Sequence, residues 1–552
     1  MNFLKMRGNR YKMGELKLLD CTLRDGGYVN DWKFGHNNIV SVFERLVEAD
    51  IDIVEIGFLD ERRMYDKDRS IMPDTDAVRK IYGNLDRKNS MIVGMIDYGT
   101  CGLEHVQDCG DSWLDGIRVI FKKHLRREAM QFCQGLKDKG YKVFAQLVSV
   151  TSYSDEEMLD LISLANKVKP YAVSMVDTYG LMHQDNLSHY FELLNTNLDA
   201  QIGLGYHGHN NFQMGYANCI AMLAKKTDRM ILVDGTLYGM GKSAGNAPVE
   251  LIAMHMNHTY GKKYDTSQML EAIDANISQF YTGATWGYNM FFYIAASNDC
   301  HPSYVKYLMD KRTLSIKSVN EILKELQGEK KLLYDQDYIE KLYVEYQNQE
   351  INDQDDIRRL KSQLAGKEIL LVGPGISVKQ EKDKIQKYIR ESEPVVISVN
   401  YIPNEIEPDY IFVSNAKRYV QMATSLSRKH YKVIATSNVA AISPKAFQFR
   451  LNFSRLMDPD AKVCDHSLRM ILKALIVLDS QKVTLAGFDG YSNCDENYAE
   501  KDMEYDFVRD MADYFNEYAR IFLSEFQKDI EIYPLTESKY IIDKKNQCER
   551  GK

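Results

Sequence analysis

Two short segments of this chain carry residue types that bind divalent metal ions. Residues 18–27 read Leu-Leu-Asp-Cys-Thr-Leu-Arg-Asp-Gly-Gly, and residues 205–211 read Gly-Tyr-His-Gly-His-Asn-Asn. Side chains two positions apart in a strand point to the same side, so His207 and His209 can direct two imidazoles at one point. With the carboxylate of Asp25 they would offer two nitrogens and an oxygen, a set that suits Mn²⁺, Fe²⁺, Co²⁺ or Zn²⁺.

Arg24 would lie beside that cation, and a guanidinium next to a metal can hold an enolate oxygen. An isolated Arg-Asp pair is otherwise a surface salt bridge or a feature of a helix start. An isolated His-x-His is more often not a pair of ligands. The position of both motifs after apolar runs favours a metal site over these alternatives.

Composition limits the function classes. With 552 residues the chain is too long for one core, so two or more domains are expected. The net charge of -8 argues against a nucleic-acid-binding surface, and residues 1–17 lack the apolar stretch of a secretory signal. No apolar run reaches the length of about 20 residues that a membrane helix needs. The nine cysteines include no Cys-x-x-Cys pair, which favours reduced thiols and a cytoplasmic location.

Eight short apolar runs, separated by helical patterns, predict the fold of the first half. Continuously apolar strands between helices indicate a parallel sheet, and eight repeats over about 240 residues match a (β/α)₈ TIM barrel. A doubly wound open sheet is the alternative. The predicted strands are residues 16–20, 51–58, 91–97, 116–121, 142–148, 172–177, 201–207 and 230–234.

Polar residues stand at or near the end of almost every predicted strand. Because barrel active sites lie at the carboxyl ends of the strands, these side chains are expected to converge on one mouth. Some of them would serve equally well as caps or loop anchors. The set comprises Asp20 with Arg24 and Asp25, Glu55, Asp97, Lys122, Gln146, Asp177, His207 with His209, and Asp234.

The loop at 234–248 follows the last of these strands and contains four glycines. It lacks the GxxxxGK[ST] spacing, so a nucleotide P-loop is rejected, and close approach of the backbone to metal and substrate is favoured. Asn246 is predicted to be a further metal ligand or a neighbour of the ligands. A helix N-cap before Pro248 is the equal alternative.

The pattern predicts five segments. A tail at 1–15 precedes the barrel at 16–262, a helical extension at 263–345 caps the barrel, a polar acidic linker occupies 346–366, and an α/β domain occupies 367–540. The extension is dense in aromatic residues at 285–293, and Tyr288 or Tyr293 is expected to reach the site.

The last domain is predicted to be Rossmann-like. Gly373-Pro374-Gly375 lies between a strand and a helix, which is a natural anion site, although the GxGxxG fingerprint is absent. Polar strand ends indicate a nucleotide or sugar-nucleotide crevice. A structural or oligomerising role is the alternative, and a homo-oligomer is expected.

At residues 20–27, 205–211 and 245–248 the chain resembles the DRE-TIM metallolyase (HMGL-like) superfamily, most of all its 4-hydroxy-2-oxovalerate aldolase branch. The resemblance covers about 16–260 and extends more loosely to about 340. It implies a divalent metal, usually Mn²⁺ or Mg²⁺, with Zn²⁺ or Co²⁺ as alternatives. It also implies that Asp25, His207 and His209 bind the metal, that Asn246 joins the metal shell, that Arg24 stabilises the enolate oxygen, and that Glu55 is the acidic residue of the second strand.

One position departs from the aldolase pattern. That branch has a histidine as general base three residues after the metal aspartate, and this chain has Tyr28. A phenol with a pKa near 10 is a poor base at neutral pH. The Glu-Gln pair of the related synthases is also missing after Gly26. Tyr28, His36 and Tyr288 are therefore the candidates for proton transfer.

These observations predict a metal-dependent aldolase or lyase that joins or cleaves a carbon–carbon bond between a pyruvate-type enolate and an aldehyde. The expected partners are a small 2-oxo acid and an aldehyde, without nucleic acid or membrane insertion. A Claisen-type acyl-CoA-dependent synthase and a non-catalytic binding or scaffold protein remain open. A fainter likeness of 371–377, 398–400 and 485–490 to sialyltransferase-like domains implies a link to polysaccharide biosynthesis.

Overall fold

The computed structural model describes residues 14–541, apart from 283–284, 311–313, 332, 348–349, 430, 441–446, 494–495, 501–502 and 504–505. The chain divides into two compact units, Met1–Pro302 and Ser303–Lys552. The predicted tail at 1–15 lies almost entirely outside the described residues.

The first unit is built on a parallel sheet that closes on itself. Its strands are β1 (Leu16–Asp20), β2 (Ile53–Leu59), β3 (Ile71–Met72), β4 (Met91–Asp97), β5 (Gly116–Phe121), β6 (Lys142–Leu147), β7 (Ala172–Asp177), β8 (Gly203–Gly208) and β9 (Ile231–Gly235). The order is β1-β9-β8-β7-β6-β5-β4-β2, and pairing of β1 with β2 closes a ring of eight, while β3 adds to β2. The predicted TIM barrel is confirmed.

Helices follow the strands along the chain. In α2, Ile39, Phe43 and Leu46 recur at helical spacing and are buried. Ser154 caps α5 in a reciprocal pair with Glu157, as the acidic first turn predicts. The helices are α1 (Thr22–Asp25), α2 (His36–Glu48), α3 (Thr75–Tyr82), α4 (Arg126–Asp138), α5 (Asp155–Val168), α6 (Gln184–Asn197), α7 (Gly215–Leu223), α8 (Val249–Tyr260), α9 (Thr266–Ala272) and α10 (Met290–Ser297).

Strand alternation divides the barrel interior into an apolar floor and a polar layer. Residues such as Ile53, Phe144 and Leu232 form the floor and are buried together. Two positions further along the same strands, on the same side, lie Glu55, Gln146 and Asp234. The polar layer therefore stands between the floor and the carboxyl ends of the strands.

The second unit has a seven-stranded sheet in which every pairing is parallel. Its strands are β10 (Glu368–Val372), β11 (Val395–Val399), β12 (Tyr410–Val413), β13 (Lys432–Thr436), β14 (Phe449–Leu451), β15 (Lys482–Ala486) and β16 (Glu531–Pro534). The strands lie in the order β14-β13-β12-β11-β10-β15-β16. From β10 to β14 successive strands are added on one side of β10, whereas β15 and β16 are added on its other side. The predicted parallel α/β architecture is confirmed.

Twelve helices are described from Pro302 onward. None of the helices in the described ranges is both long enough and apolar enough to cross a bilayer. They are α11 (Pro302–Asp310), α12 (Ile316–Lys324), α13 (Gln336–Gln347), α14 (Gln354–Leu364), α15 (Ser377–Gln380), α16 (Lys382–Ser392), α17 (Ala416–Lys429), α18 (Ser437–Ala440), α19 (Phe453–Leu456), α20 (Ser467–Val477), α21 (Asp506–Asp510) and α22 (Ala512–Phe526).

The segment predicted as a linker differs in the structure. Residues 354–364 form α14, whose Leu360 and Leu364 are buried in the core of the second unit. Asp353 accepts a hydrogen bond from the backbone of Asn452 at 2.9 Å, which ties the helix start to the sheet edge. The boundary between the compact units falls after Pro302 instead, inside the predicted helical extension.

Candidate active site

Asp25, His207 and His209 meet at the carboxyl end of the barrel. Asp25 ends α1, the single turn after β1, while His207 lies in β8 and His209 follows that strand directly. One ligating atom from each residue lies within 4.8 Å of the other two, and all three side chains are buried. The structure thus brings together the three residues that the sequence selected as metal ligands, at a spacing that one cation can bridge.

Asp234 fixes the orientation of His207. The Nδ1 atom of His207 lies 3.1 Å from Oδ2 of Asp234, and its Nε2 atom lies 3.5 Å from Oδ2 of Asp25. The two histidine rings are nearly perpendicular, at 89°, with centroids 5.2 Å apart. A carboxylate behind one imidazole nitrogen selects the tautomer that presents the other nitrogen to a metal.

Asn246 belongs to the same cluster. Its Nδ2 donates to Oδ1 of Asp25 at 2.9 Å, whereas α8 begins at Val249 with Pro248 as its N-cap, so the helix-cap alternative is wrong. Oδ1 of Asn246 and Nδ1 of His209 are buried without a hydrogen-bond partner among the described residues. Such atoms require an explanation, and the amide oxygen is one that a divalent ion would provide. The donor set therefore fits a metal.

The charges of the cluster suit metal binding. Nε of Arg24 lies 2.8 Å from Oε2 of Glu55, and the guanidinium also pairs with Asp25. Burial alone would raise the pKa of Asp25, but Arg24 and the two histidines hold it well below its usual range. Burial lowers the pKa of His209 to about 3, so this imidazole is neutral at pH 7, as a metal ligand must be.

Arg118 connects the two halves of this network. Its side chain is 0% exposed, and Nη1 lies 3.0 Å from Oε2 of Glu55. Nη2 donates to Oε1 of Gln146 at 2.9 Å and pairs with Asp234. Glu55 thus forms ion pairs with both Arg24 and Arg118. Asp234 likewise contacts both Arg118 and His207. Arg118 was not among the predicted site residues, although a lone charge inside the apolar run at 116–121 was the available signal.

A cavity of about 380 Å³ opens onto the cluster. Tyr28 and Lys242 line it together with Arg24, Asp25, His207 and His209. Tyr28 is 43% exposed, and the partial burial of its phenol, followed by the nearby charge of Asp25, raises its pKa to about 12. Lys242, which was not among the predicted site residues, donates its backbone N–H to Oδ1 of Asp25 at 3.0 Å, and its Nζ lies 5.4 Å from the centre of the Tyr28 ring.

Five of the predicted site residues do not line this cavity: Glu55 and Asn246, which belong to the network described above, and His36, Tyr288 and Tyr293. His36 begins α2, where its backbone N–H donates to Oδ1 of Asp68 at 2.9 Å. Tyr288 is 64% exposed. Neither is among the residues that line the cavity. Asp177, a predicted strand-end residue, accepts hydrogen bonds from the backbones of Leu181 and Met182 and anchors the loop after β7.

Gly241 provides a direct test of the cluster. A Cβ atom at this position would lie 2.1 Å from Nδ2 of Asn246 and 2.7 Å from Oδ1 of Asp25. We expect Gly241→Ala to weaken Mn²⁺ binding by about tenfold or more, as displacement of groups around metal ligands does. Calorimetric titration measures the affinity, and circular dichroism checks the fold.

Gly110→Ala is the matched control, because a Cβ at Gly110 meets no atom within 4 Å. Equal Mn²⁺ affinity in both variants would contradict the placement of Gly241 against the ligands.

A family profile for HMGL-like proteins matches residues 15–275, a range that includes the barrel and the whole cavity. Residues 15–275 belong to the HMGL-like family. The HMGL-like barrel therefore agrees with the resemblance drawn from residues 20–27 and 205–211. The aldolases of this family use a divalent metal, and the chain presents a candidate group of ligands for one.

Individual relatives of the HMGL-like barrel are distant. The chain is 26% identical over 255 residues to 4-hydroxy-2-oxovalerate aldolase from Marinomonas sp. (strain MWYL1), covering 45% of this chain and 72% of that protein. It is 27% identical over 236 residues to oxaloacetate decarboxylase from Mycobacterium tuberculosis, covering 43% and 68%. Among solved structures, the HMG-CoA lyase of Bacillus subtilis shows 17% identity, 49% and 94% coverage, and a TM-score of 0.40. The family and the two relatives support the predicted enzyme class, a metal-dependent carbon–carbon lyase.

Proposed function

We propose that the HMGL-like barrel is a divalent-metal-dependent aldolase that acts on 4-hydroxy-2-oxo acids or forms them from a pyruvate-type enolate and an aldehyde. The observation that carries this proposal is the buried guanidinium of Arg24 beside the Asp25, His207 and His209 cluster. The two relatives compared above are named for 2-oxo acids, which supports the same substrate class.

Asp25, His207 and His209 would hold the metal, and Asn246 would offer its amide oxygen. The ion, when bound, supplies Lewis-acid polarisation of the substrate's keto group. We propose Mn²⁺ or Mg²⁺, with Zn²⁺ and Co²⁺ as the alternatives that reconstitution of the metal-free protein distinguishes.

Arg24 stabilises the charge that develops during bond cleavage. When the C3–C4 bond breaks, its electron pair forms the enolate, the C4 hydroxyl passes its proton to a base in the cavity and the aldehyde is released. The enolate then takes a proton from water to give pyruvate. Because Nε of Arg24 pairs with Oε2 of Glu55, the guanidinium is held in place and need not rearrange when the charge of the enolate oxygen develops.

Tyr28 is the only one of the three predicted proton-transfer candidates that lines the cavity. Since burial raises its pKa to about 12, the phenol stays protonated at neutral pH. In the addition direction we assign it as the general acid that gives its proton to the aldehyde oxygen as the C3–C4 bond forms. In the cleavage direction its phenolate takes that proton back from the C4 hydroxyl.

Tyr28→Phe should therefore lower kcat by about a hundredfold without changing metal affinity, which is the usual size of a general acid's contribution. Tyr288→Phe removes the same hydroxyl from an exposed residue outside the cavity and should leave kcat unchanged. Steady-state pyruvate formation measures both. Equal kcat in the wild type and Tyr28→Phe would remove this role.

The position of Lys242 indicates that the substrate carries an anionic group. Its side chain lines the cavity, and burial lowers its pKa, which marks a cation held partly out of water. A carboxylate or phosphate on the substrate would pair with it. We expect Lys242→Met to raise KM by about tenfold or more for a substrate with such a group and to affect a neutral substrate little.

Lys263→Met is the matched control, because Lys263 is exposed and lies outside the cavity. A KM ratio between charged and neutral substrates that is the same in Lys242→Met and in the wild type would exclude the contact.

The proposal as a whole is tested by incubating the protein with pyruvate, Mn²⁺ and a panel of aldehydes, followed by mass measurement of the products. A product that equals the sum of pyruvate and one aldehyde supports the aldolase. Thiol release from acetyl-CoA without such a product would favour the Claisen-type synthase. A purified chain that binds no divalent metal would favour the scaffold.

A further inference from the structure

The sheet of the second unit has a cleft at the point where its strand order reverses. β10 and β15 are neighbours in the sheet. β11 lies on the other side of β10, and β16 lies on the other side of β15, so the sheet extends in both directions from this pair. Doubly wound sheets bind ligands outside the carboxyl ends of the strands at such a point. A cleft of about 930 Å³ lies here, lined by residues that follow β10, β11, β12 and β15.

The anion site predicted at Gly373-Pro374-Gly375 does not form. The backbone N–H of Gly375 donates to the carbonyl of Gly487 at 2.9 Å. The N–H of Ser377, which begins α15, donates to Oδ2 of Asp489 at 2.8 Å. A carboxylate of the protein thus already occupies the position where an anion would lie.

The N-terminus of α20 offers donors instead. The first backbone N–H groups of a helix have no acceptor within the helix and carry a partial positive charge. No side chain caps α20, which has 11 residues, and its first residues Ser467 and Leu468 line the cleft. At α17, by contrast, Oδ1 of Asn415 accepts from the backbone of Arg418 at 3.1 Å.

His466 is an independent sign of a ligand. It precedes α20 and lines the cleft, and both of its ring nitrogens are buried without a hydrogen-bond partner among the residues the structure describes. The rings of Phe515, Tyr518 and Phe522 surround it at centroid distances of 6.0, 5.9 and 5.1 Å. Since an imidazole carries both an N–H and a lone pair, burial of both without partners is unfavourable, and a bound polar ligand would relieve it.

Arg418 and several aromatic rings complete the lining. Arg418 is 6% exposed, its Nη2 donates to the carbonyl of Met503 at 2.5 Å, and its guanidinium carbon lies 5.5 Å from the centre of the Tyr498 ring. A guanidinium matches the oxygens of a phosphate. Tyr491 stands 6.1 Å from Tyr498 and 5.4 Å from Phe515, and such ring faces suit a nucleobase.

Two carboxylates also line the cleft, and they bear on the charge of the ligand. Both oxygens of Asp489 accept from Ser377, so that group is committed to the loop. Asp465 would oppose a phosphate beside it. A Mg²⁺ ion carried by the phosphates would offset that charge.

We propose that this cleft binds a phosphorylated nucleoside, with its phosphate at the N-terminus of α20 near Arg418 and its base against the aromatic rings. The site lies in the second unit and does not depend on the function proposed for the barrel.

The full chain is titrated calorimetrically with ADP, CDP, GDP and UDP, each with and without Mg²⁺. Inorganic phosphate and glucose 6-phosphate serve as probes without a base. We expect at least one nucleoside diphosphate to bind with a Kd below about 1 mM, and both smaller probes to bind at least about tenfold more weakly.

Two variants locate the site. Arg418→Met should weaken the binding by about tenfold or more, whereas Arg390→Met, on the exposed side of α16, should not. His466→Phe replaces the imidazole with another ring among aromatic neighbours, so the protein should keep its melting temperature. The ligand should no longer raise that temperature.

Absence of binding by all four diphosphates would overturn the proposal. Undiminished binding in His466→Phe, or in a folded Arg418→Met, would do the same. Equal affinity for inorganic phosphate and for the diphosphates would exclude the nucleoside as the recognised group.

Discussion

Asp25→Asn should reduce metal-dependent pyruvate formation by about a thousandfold, the rate equivalent of the several kcal/mol that a metal ion contributes to stabilising developing charge. The substitution keeps the size of the side chain but removes the negative charge that the two histidines and the metal share. Asn246 and the backbone of Lys242 donate to Oδ1 of Asp25, and Arg24 donates to Oδ2, so the amide N–H₂ of an asparagine would face a donor in either orientation. His207→Ala should have an effect of the same size.

The matched control is Asp97→Asn, at an exposed residue that ends β4 and lies outside the cavity. Its activity and metal content should equal those of the wild type. Both ligand variants should retain the circular dichroism spectrum of the barrel, since the apolar floor is untouched. Full activity of a metal-stripped His207→Ala variant would defeat the proposed mechanism.

Arg118→Met should lower the free energy of unfolding by about 3–5 kcal/mol, because it leaves two buried carboxylates without their common cation. Those groups are Glu55 and Asp234, both within the barrel interior. The variant should also lose most activity, since Glu55 orients Arg24 and Asp234 orients His207. Urea unfolding of the full chain, followed for the barrel by tryptophan fluorescence, measures the stability change.

A double variant separates charge from packing. Glu55→Gln combined with Arg118→Met also removes one of the two carboxylates that lost Arg118. The double variant should therefore regain part of the lost free energy of unfolding while it remains inactive. Arg87→Met breaks an exposed pair with Asp115 and should change stability by about 1 kcal/mol or less. A loss in Arg118→Met no larger than that in Arg87→Met would show that the buried network contributes little.

The strands were the most predictable part of the fold. In β10 the four residues after Glu368 form a continuous apolar run, and a strand buried on both faces requires that pattern. β14 has no such signal in the sequence, because it has only three residues and an exposed Arg450 in the middle. In α14 the polar composition concealed the spacing of Ile357, Leu360 and Leu364, which is helical.

The residues of the candidate site were predictable where regular secondary structure fixes the direction of their side chains. Alternation along β8 places His207 and His209 on one side, and the turn after β1 delivers Asp25 to the same end. Lys242 lies in an irregular loop, where no periodicity indicates the direction of a side chain. Tyr288 was selected for its aromatic surroundings, which do not distinguish an exposed ring from one at the site.

The pairing of Arg118 with Asp234 has a consequence for how the barrel is assembled. The two residues are 116 positions apart, and Asp234 belongs to the last strand of the barrel to be synthesised. Until that strand docks, a nascent chain holds a cation in its interior that only Glu55 balances. A fragment that ends before β9 should therefore stay loosely packed and prone to proteolysis, and ring closure should be the step that makes the barrel rigid.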